Sequence, residues 1–174
     1  VYKRQIITLQ YVYTLEQAAA LFSYFKQPTL ATKYLALADQ LRKGVYQNCF
    51  VSSKGLMANT PEKKSFSQHA NIMGVLAGSI PASQAPAVMQ KVLSDASLSQ
   101  ATFYYRFYLN LALQKAGMGD LYYSQLQPWR QMIANGLTTF AENPDPTRSD
   151  CHAWSSSPNY DFLATICGVK PGAP

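Results

Sequence analysis

Apolar residues recur at helical spacing along most of the chain. The first segment with this pattern covers about residues 7–26, and its apolar face contains Leu15, Ala18, Ala19, Phe22 and Phe25. Pro28 is expected to end this helix, because the residue before a proline avoids the α region. Thr29 is then the predicted N-cap of a second helix, which extends to about residue 48.

The same pattern predicts five further helical segments. They lie at about residues 68–77, 84–95, 102–116, 120–134 and 159–167. Ser67 is the predicted N-cap of the third helix, and Pro128 is expected to divide the segment that contains it. Strand signals are almost absent, although residues 137–140 could be briefly extended. Helices joined by short connections predict an all-α fold of antiparallel hairpins.

The segment at residues 102–116 differs from the others in its polar residues. Arg106, Asn110 and Gln114 recur every four positions, while nearly all the other residues are apolar or aromatic. A helix with so narrow a polar stripe is buried on most of its sides. We therefore expect this helix to lie in the core, with Tyr104 as one of the core side chains.

Composition limits the class of protein. Hydrophobic residues make up 48% of the 174 residues and charged residues 14%, which is enough apolar material for a packed core. The net charge is +6, but the basic residues are scattered, whereas nucleic-acid binding needs a basic patch or stripe. No stretch is apolar enough for a transmembrane helix. We therefore expect neither nucleic-acid nor membrane partners.

Cysteine and histidine usage gives no metal or redox motif. Cys49, Cys151 and Cys167 match no zinc or redox spacing, and free, buried thiols are the simplest expectation. The two histidines, His69 and His152, are far apart in the sequence. The sequence therefore predicts no metal site.

The segment at residues 136–158 has a different composition. It contains three prolines and many small polar residues, and a connection of this length is usually functional or disordered. Its aromatic residues favour an ordered loop. Its reactive groups are Glu142, Asp145, Arg148, Asp150 and His152. Two interpretations remain open: a functional site, or a polar connection braced by arginine–aspartate pairs.

Two strings in this loop carry a resemblance to a known family. TTFAE at 138–142 and PTRSDCHAWS at 146–155 closely resemble the late catalytic segment of the α-L-rhamnosidases of glycoside hydrolase family 78. FSQHAN at 66–71 resembles the middle helices of that family, and the likeness extends over about residues 8–169. One departure is Ala141, which stands where many members have tryptophan.

The resemblance implies both a fold and a reaction. The fold would be a six-hairpin (α/α)6 glycosidase barrel, of which this chain supplies about three helical hairpins. The family cleaves terminal α-L-rhamnosides with inversion, using one carboxylic acid as general acid and one carboxylate as general base. Glu142 matches the base, whereas the acid belongs to an upstream segment with no equivalent here. The resemblance therefore implies a glycoside hydrolase that needs no cofactor. Because the general acid is missing, this chain alone is expected to be inactive.

The resemblance also suggests which residues contact the substrate, a rhamnose-containing glycoside or polysaccharide. His152 and Trp154 would line the sugar site, although they could also anchor the loop to the last helix. Arg148 would contact the sugar or keep Glu142 ionised, with pairing to an aspartate as the alternative. His69 lies in the first turn of its helix and would face either the site or the core.

The ends of the chain bear on its partners. Residues 1–5, VYKRQ, resemble a translated sequencing adapter, so residues 6–174 are expected to be the C-terminal part of the catalytic domain. The upstream remainder of that domain would be its partner. Related enzymes are often exported, which favours the periplasm or the cell exterior over the cytoplasm.

Other functions fit parts of this pattern. Another six-hairpin glycosidase would keep the barrel and the two carboxyl groups but act on a different sugar. A non-catalytic, carbohydrate-binding helical module is compatible with Ala141. A helical-repeat interaction module fits less well. Such a module predicts regular repeats and no acidic, aromatic loop, whereas this sequence has no obvious fixed-period repeat and does contain such a loop.

Overall fold

The computed structural model describes residues 4–143, 146–170 and 172. The chain divides into two compact units, Val1–Gln100 and Ala101–Pro174. Within the described residues, helices dominate and strands are limited to one short hairpin. The all-α class predicted from the sequence is therefore confirmed.

The first unit is built on two long helices that pack against each other. Its elements are α1 Arg4–Tyr24, α2 Pro28–Cys49, β1 Phe50–Val51, β2 Leu56–Met57, α3 Gln68–Leu76 and α4 Ala85–Ser94. The buried residues of α1 recur every three or four positions, as in any amphipathic helix: Leu9, Val12, Leu15 and Ala19. The guanidinium of Arg42 in α2 also bonds the carboxylate of Glu16 in α1 at 2.6 Å.

Two details of this helical pair differ from the sequence predictions. Helix α2 begins at Pro28, with Gln27 as its N-cap, so the predicted cap at Thr29 is wrong. Proline is favoured at the first helical position, because the N–H that it lacks has no helical partner there. Phe25, predicted on the buried face of α1, lies beyond the end of the helix and is 61% exposed.

A short antiparallel hairpin follows α2 and was not predicted. Phe50 pairs with Met57 and Val51 pairs with Leu56. Gly55 in the turn has φ of +61°, a conformation that glycine adopts without a steric penalty. Strands of two residues are too short to produce a visible alternation of apolar and polar residues, which explains why the sequence pattern missed them.

The predicted start of α3 is confirmed. The Ser67 hydroxyl accepts a hydrogen bond from the backbone N–H of Ala70 at 3.2 Å. The fully buried Asn71 then joins α3 to β2: its Oδ1 accepts from the Met57 N–H at 2.8 Å. Its Nδ2 donates to the carbonyl oxygens of Met57 and Ser67 at 3.1 and 2.9 Å. The side-chain amide is therefore fully hydrogen-bonded inside the core.

The second unit contains shorter and more varied helices. Its elements are α5 Phe103–Lys115, a 3-10 helix Gly119–Leu126, α6 Gln127–Ala134, a 3-10 helix Ala153–Ser156, α7 Ser157–Asp161 and a π-helix Phe162–Ile166. Pro128 lies in the first turn of α6, so the predicted division at this proline is confirmed. Residues 138 and 139 form a bend, and no strand lies at residues 137–140, where the sequence suggested a brief extended segment.

The core of the second unit is aromatic. Its buried cluster consists of Phe103, Tyr122, Leu126, Trp129, Met132 and Ala141. The rings of Phe103 and Trp129 lie 5.1 Å apart at an angle of 58°, the tilted arrangement that aromatic pairs prefer. This cluster joins α5 and α6 to the loop that follows α6.

Polar side chains of α5 form hydrogen bonds with α7 and the π-helix that follows it. Asn110 Nδ2 donates to Asp161 Oδ1 at 2.5 Å and to Thr165 Oγ1 at 3.2 Å. Gln114 Nε2 donates to the same Thr165 hydroxyl at 3.0 Å. Asn110 and Gln114, two of the three polar residues that recur every four positions on α5, thus hold the last helical segment in place.

All three cysteines are free. Cys49 is buried as expected, whereas Cys151 and Cys167 are exposed, so the prediction of buried thiols is wrong for these two. Cys151 lies in the loop before α7, and Cys167 follows the final helical turn. In the part of the chain that the structure describes, no helix combines the length and the apolarity needed to cross a membrane.

Replacing Asn71 by alanine should destabilise the first unit. The substitution leaves the backbone groups of Met57 without a partner in the core, at a cost of about 2–3 kcal/mol. Urea unfolding monitored by circular dichroism measures this loss. The matched control is Asn48→Ala, because the exposed Asn48 makes one hydrogen bond to Gly44 of its own helix. Equal free energies of unfolding for the two variants would contradict the structural role of Asn71.

Candidate active site

The loop between α6 and α7 is held together by its own backbone. The N–H of His152 donates to the carbonyl oxygen of Phe140 at 2.6 Å. The N–H of Glu142 donates to the carbonyl oxygens of Arg148 and of the residue after it, each at 3.1 Å. The two sides of the loop therefore run antiparallel, and the side chains of Glu142 and Arg148 meet.

The loop is also anchored to the aromatic core. Ala141 is fully buried in the cluster, so the residue next to Glu142 lies among the core side chains. The indole N–H of Trp129 donates to the carbonyl oxygen of Ser155 at 2.7 Å, inside the protein. These two contacts hold the loop at both ends and place the Glu142 backbone at the edge of the core.

Arg148 binds both oxygens of the Glu142 carboxylate. Its Nε donates to Oε2 at 2.8 Å, and its Nη2 donates to Oε1 at 2.6 Å. The Glu142 side chain is 17% exposed and the Arg148 side chain 70% exposed, so solvent reaches the pair mainly from the arginine side. A bidentate pair of this kind fixes the direction of the carboxylate as well as its charge.

The Glu142 carboxylate is stabilised in its ionised form. Hydrogen bonding and the positive charge of Arg148 hold the pKa of Glu142 below its usual range, and the nearby His152 acts in the same direction. Partial burial opposes this effect without reversing it. The carboxylate is therefore charged at neutral pH, as a general base must be.

His152 and Trp154 lie side by side on the same loop. Their ring centroids are 4.1 Å apart, and Trp154 is 47% exposed while His152 is partly buried. The His152 Nδ1 lies 2.8 Å from the hydroxyl of Ser149, a residue with φ of 53°. Among the described non-glycine residues of this loop, Ser149 alone has a left-handed backbone, and its side chain makes the contact that orients the imidazole.

The other residues predicted for the site have different positions. The described residues contain no ion pair between Arg148 and Asp150. Asp145 lies outside the described residues, so a brace between Arg148 and Asp145 stays a prediction. His69 is partly buried in the first turn of α3 and belongs to the first unit, whereas the loop belongs to the second. A substrate contact of His69 stays a prediction.

A second carboxyl group lies in this unit but is enclosed. Asp161 is 1% exposed, and its Oδ1 accepts hydrogen bonds from Asn110 and, at 3.3 Å, from Thr165. Burial raises its pKa, although these hydrogen bonds oppose the shift. Burial thus raises the pKa of Asp161, whereas Arg148 lowers the pKa of Glu142. The enclosed Asp161 carboxylate holds α7 in place and is not accessible to a ligand.

Sequence reasoning missed two residues of this region. Ser149 contacts His152, but no pattern distinguishes it from the other small polar residues of the loop. Tyr104 was predicted in the core, yet it is 43% exposed and its ring lies 5.8 Å from that of Trp154. The sequence did not reveal this exposure, because an aromatic residue in a mostly apolar helix is normally predicted to lie in the core.

Within the described ranges, no group of three or more histidine, cysteine, aspartate or glutamate side chains could hold a metal ion. The described part of the loop thus presents one ion-paired carboxylate and an imidazole beside an exposed indole ring.

Comparison with known proteins identifies the family of the chain. Residues 2–166 match the family model of the bacterial alpha-L-rhamnosidase six-hairpin glycosidase domain, so the chain belongs to this family. Among curated proteins, none matches the chain.

Two solved structures share the fold. A rhamnosidase from Klebsiella oxytoca with rhamnose bound superposes with a TM-score of 0.85 at 24% identity. That match covers 97% of this chain and 35% of the other. A family GH78 rhamnosidase of Bacillus sp. GL1 gives a TM-score of 0.83 at 25% identity, over 93% of this chain and 19% of the other. The chain thus spans about a third or less of these enzymes.

Replacing Arg148 by glutamine should raise the pKa of Glu142 toward the ordinary value of glutamate, because the hydrogen-bonded positive charge is lost. The chain has three glutamates, Glu16, Glu62 and Glu142, so carboxyl-labelled glutamate gives three signals for an NMR titration. Arg130→Gln is the matched control, since Arg130 lies over the ring of Tyr123.

The same pair links the stability of the loop to pH. A lowered pKa stabilises the folded state above the pKa of an unperturbed glutamate, and this stabilisation is lost as the pH falls through the lowered value. An unchanged Glu142 titration in Arg148→Gln, or an equal change in Arg130→Gln, would show that Arg148 does not set the charge of Glu142.

Proposed function

We propose that this chain is part of an inverting glycoside hydrolase that cleaves terminal α-L-rhamnosides, with Glu142 as the general base. The observation that carries the proposal is the Glu142 carboxylate, fixed by Arg148 at the edge of the core, in the same loop as the His152–Trp154 pair. In an inverting glycosidase, the base removes a proton from the water that attacks the sugar. Such a base must be ionised before the substrate binds.

The environment of Glu142 supports this role over that of an acid. A general acid needs a raised pKa, because it must carry a proton at the working pH. The Arg148 guanidinium has the opposite effect and lowers the pKa of Glu142. Of the two carboxylic acids that the reaction needs, Glu142 therefore fits the one that works in its ionised form.

The general acid is proposed to come from elsewhere in the enzyme. Glu16 and Asp39 are bound to Arg42 and Lys43 of the long helices, at 2.6 and 2.7 Å. Asp161, the carboxyl group with a raised pKa, is buried and hydrogen-bonded. Asp150 is exposed and lies in the same loop as Glu142, but the sequence resemblance assigns the general acid to a segment further upstream. This chain alone is therefore expected to be inactive.

Four residues are proposed to contact the substrate. The exposed face of Trp154 is suited to stack on the C–H groups of a sugar, and His152 to hydrogen-bond a hydroxyl group. Arg148, with its 70% exposed side chain, is suited to contact a sugar oxygen while it holds Glu142. His69 is proposed on the basis of the sequence resemblance and its place at the start of α3.

The substrate class rests on the family and its relatives. The chain belongs to the rhamnosidase domain family, and one similar structure holds rhamnose. We therefore take a terminal α-L-rhamnosyl group as the reacting sugar. The rest of the catalytic domain is the proposed partner of this chain, and a place in the periplasm or outside the cell is favoured.

Glu142→Gln should lower kcat for an aryl α-L-rhamnoside at least about a hundredfold in the enzyme completed upstream, because the amide cannot accept the proton of the attacking water. The release of the coloured phenol measures the rate. Asp120→Asn is the matched control, since this exposed acid lies in the same unit outside the loop, and its activity should stay within about twofold.

Circular dichroism separates a chemical effect from loss of the fold. A folded Glu142→Gln enzyme with undiminished activity would remove Glu142 from the mechanism. An intact wild type that hydrolyses a different aryl glycoside but no rhamnoside would transfer the proposal to another sugar. An intact wild type that binds glycosides without hydrolysing them would show a carbohydrate-binding module.

A further inference from the structure

A pocket of about 600 Å³ opens between the β1–β2 hairpin, the start of α3 and the connection that follows α4. All the residues that line it belong to the first unit, so the pocket exists within a single compact body. Its walls include Lys54, Lys64 and Lys91, and Asp95 is the only acidic residue among its described lining residues. The pocket therefore carries a surplus of positive charge.

Hydrogen bonds hold the walls of this pocket together. The N–H of Gln68 donates to the carbonyl oxygen of Ser99 at 3.0 Å, and the N–H of Ser99 donates to the carbonyl oxygen of Phe66 at 3.4 Å. The side-chain amide of Gln68 also donates to the carbonyl oxygen of Val92 in α4 at 2.8 Å. The connection after α4 is thus fixed against the start of α3, and the pocket beside them has a defined shape.

Two of the three lysines are positioned by contacts of their own. The Lys91 ammonium donates a hydrogen bond to the backbone carbonyl oxygen of Lys54, so this side chain reaches from α4 to the hairpin turn. A β-carbon at Gly55 would lie 2.8 Å from the Lys91 Nζ, so the glycine of the turn leaves the space that the ammonium occupies. The Lys54 ammonium lies 4.8 Å from the centre of the Phe66 ring, a cation–π contact. These contacts fix two positive charges at the pocket.

The positive charges of the pocket are only partly compensated. In the part of the chain that the structure describes, Lys54, Lys64 and Lys91 form no ion pair. The Asp95 Oδ1 accepts hydrogen bonds from the hydroxyl and the N–H of Ser97, at 2.6 and 2.9 Å. These bonds lower the pKa of Asp95, and the charge of Lys54 adds a smaller effect. One carboxylate held by Ser97 cannot neutralise three ammonium groups, so an anion in the pocket would be attracted.

The pocket also offers apolar surface and a neutral hydrogen-bond donor. Leu56 and Leu98 are 5% and 4% exposed, and they line the pocket together with the half-buried Phe66. The hydroxyl of Ser65 accepts a hydrogen bond from the amide of Asn59 at 3.2 Å, so its own proton can be donated to a ligand. Apolar side chains beside ammonium and hydroxyl groups suit a ring that has an apolar face, hydroxyl groups and an anionic substituent.

We propose that this pocket is a binding site for an acidic sugar, a ring that carries a carboxylate or a sulfate ester. Lys54, Lys64 and Lys91 bind the anionic group, and the ring packs against Phe66. The chain belongs to a glycosidase domain family, and a sugar is the ligand class that combines hydroxyl groups, an apolar face and such a substituent. The inference goes beyond the proposed function, because it depends neither on the role of Glu142 nor on rhamnose.

NMR of the chain with isotope-labelled lysine Cε atoms tests the proposal. The ligands to titrate separate the parts of the site: methyl glucoside has the ring alone and acetate the anion alone. Methyl glucuronide has the ring with a carboxylate, and the sulfate ester of methyl glucoside has the ring with a sulfate. Lys54→Gln, Lys64→Gln and Lys91→Gln assign the signals of the pocket. Lys33→Gln is the matched control, because Lys33 is an exposed lysine of α2 that does not line the pocket.

At least one of the acidic sugars should bind about tenfold more tightly than methyl glucoside and than acetate, because it combines several charge pairs with the ring contact. It should shift the signals of Lys54, Lys64 and Lys91 and leave that of Lys33 in place. The glucuronide and the sulfate ester together show which anionic group is preferred. Lys54→Gln and Lys64→Gln should each weaken binding about threefold, the effect of one solvent-exposed ion pair, and Lys33→Gln should not.

Three results would overturn the proposal. Acidic sugars that bind no more tightly than methyl glucoside would show that the lysines hold no anion, and acetate binding as tightly as the acidic sugars would show that no sugar is recognised. Equal shifts at Lys33 and at the pocket lysines would show non-specific attraction to positive charge. The titration is repeated on the enzyme completed upstream, where loss of binding would show that another part of the domain covers the pocket. Rhamnoside hydrolysis is measured separately, so failure of this site leaves the role of Glu142 unaffected.

Discussion

The hydrogen bond from the Trp129 indole to the Ser155 carbonyl is the contact on which the candidate site depends. A long loop rich in proline and small polar residues cannot form a core of its own, so its position has to come from the helices around it. Trp129 is buried in the aromatic cluster and bonds one end of the loop, while Ala141 inserts the other end into the same cluster. The position of Glu142 is a consequence of these two anchors.

Two carboxyl groups of the second unit show how environment separates structural from chemical roles. Asp161 is enclosed, receives hydrogen bonds from Asn110 and Thr165, and has a raised pKa because of its burial. Glu142 is held by the charged Arg148 at the protein surface and has a lowered pKa. A base needs an ionised carboxylate that its substrate can reach, and only Glu142 meets both conditions among these two.

Helical spacing predicted the main elements well, because long helices with a buried stripe leave a clear period in the sequence. Ser67 and Pro128 were correctly placed at a helix start and at a break, since each acts through its local backbone chemistry. The hairpin at Phe50–Met57 was missed, because two-residue strands have no period. Tyr104 was misplaced for a different reason, since the sequence does not show which face of an apolar helix lacks a neighbour. The pairing of Arg148 with Glu142 also needed the structure, because several acidic residues lie within reach of Arg148 along the loop.

The configuration of the first-formed sugar tests the role of Glu142 most directly. If Glu142 activates a water molecule, the attack comes from the face opposite the cleaved bond, and the anomeric centre inverts. Proton NMR of the enzyme completed upstream, recorded in the first minutes of hydrolysis of an α-L-rhamnoside, should therefore show β-L-rhamnose before mutarotation. Initial release of α-L-rhamnose would contradict the account, because retention requires a carboxylate that attacks the sugar itself and not one that activates water.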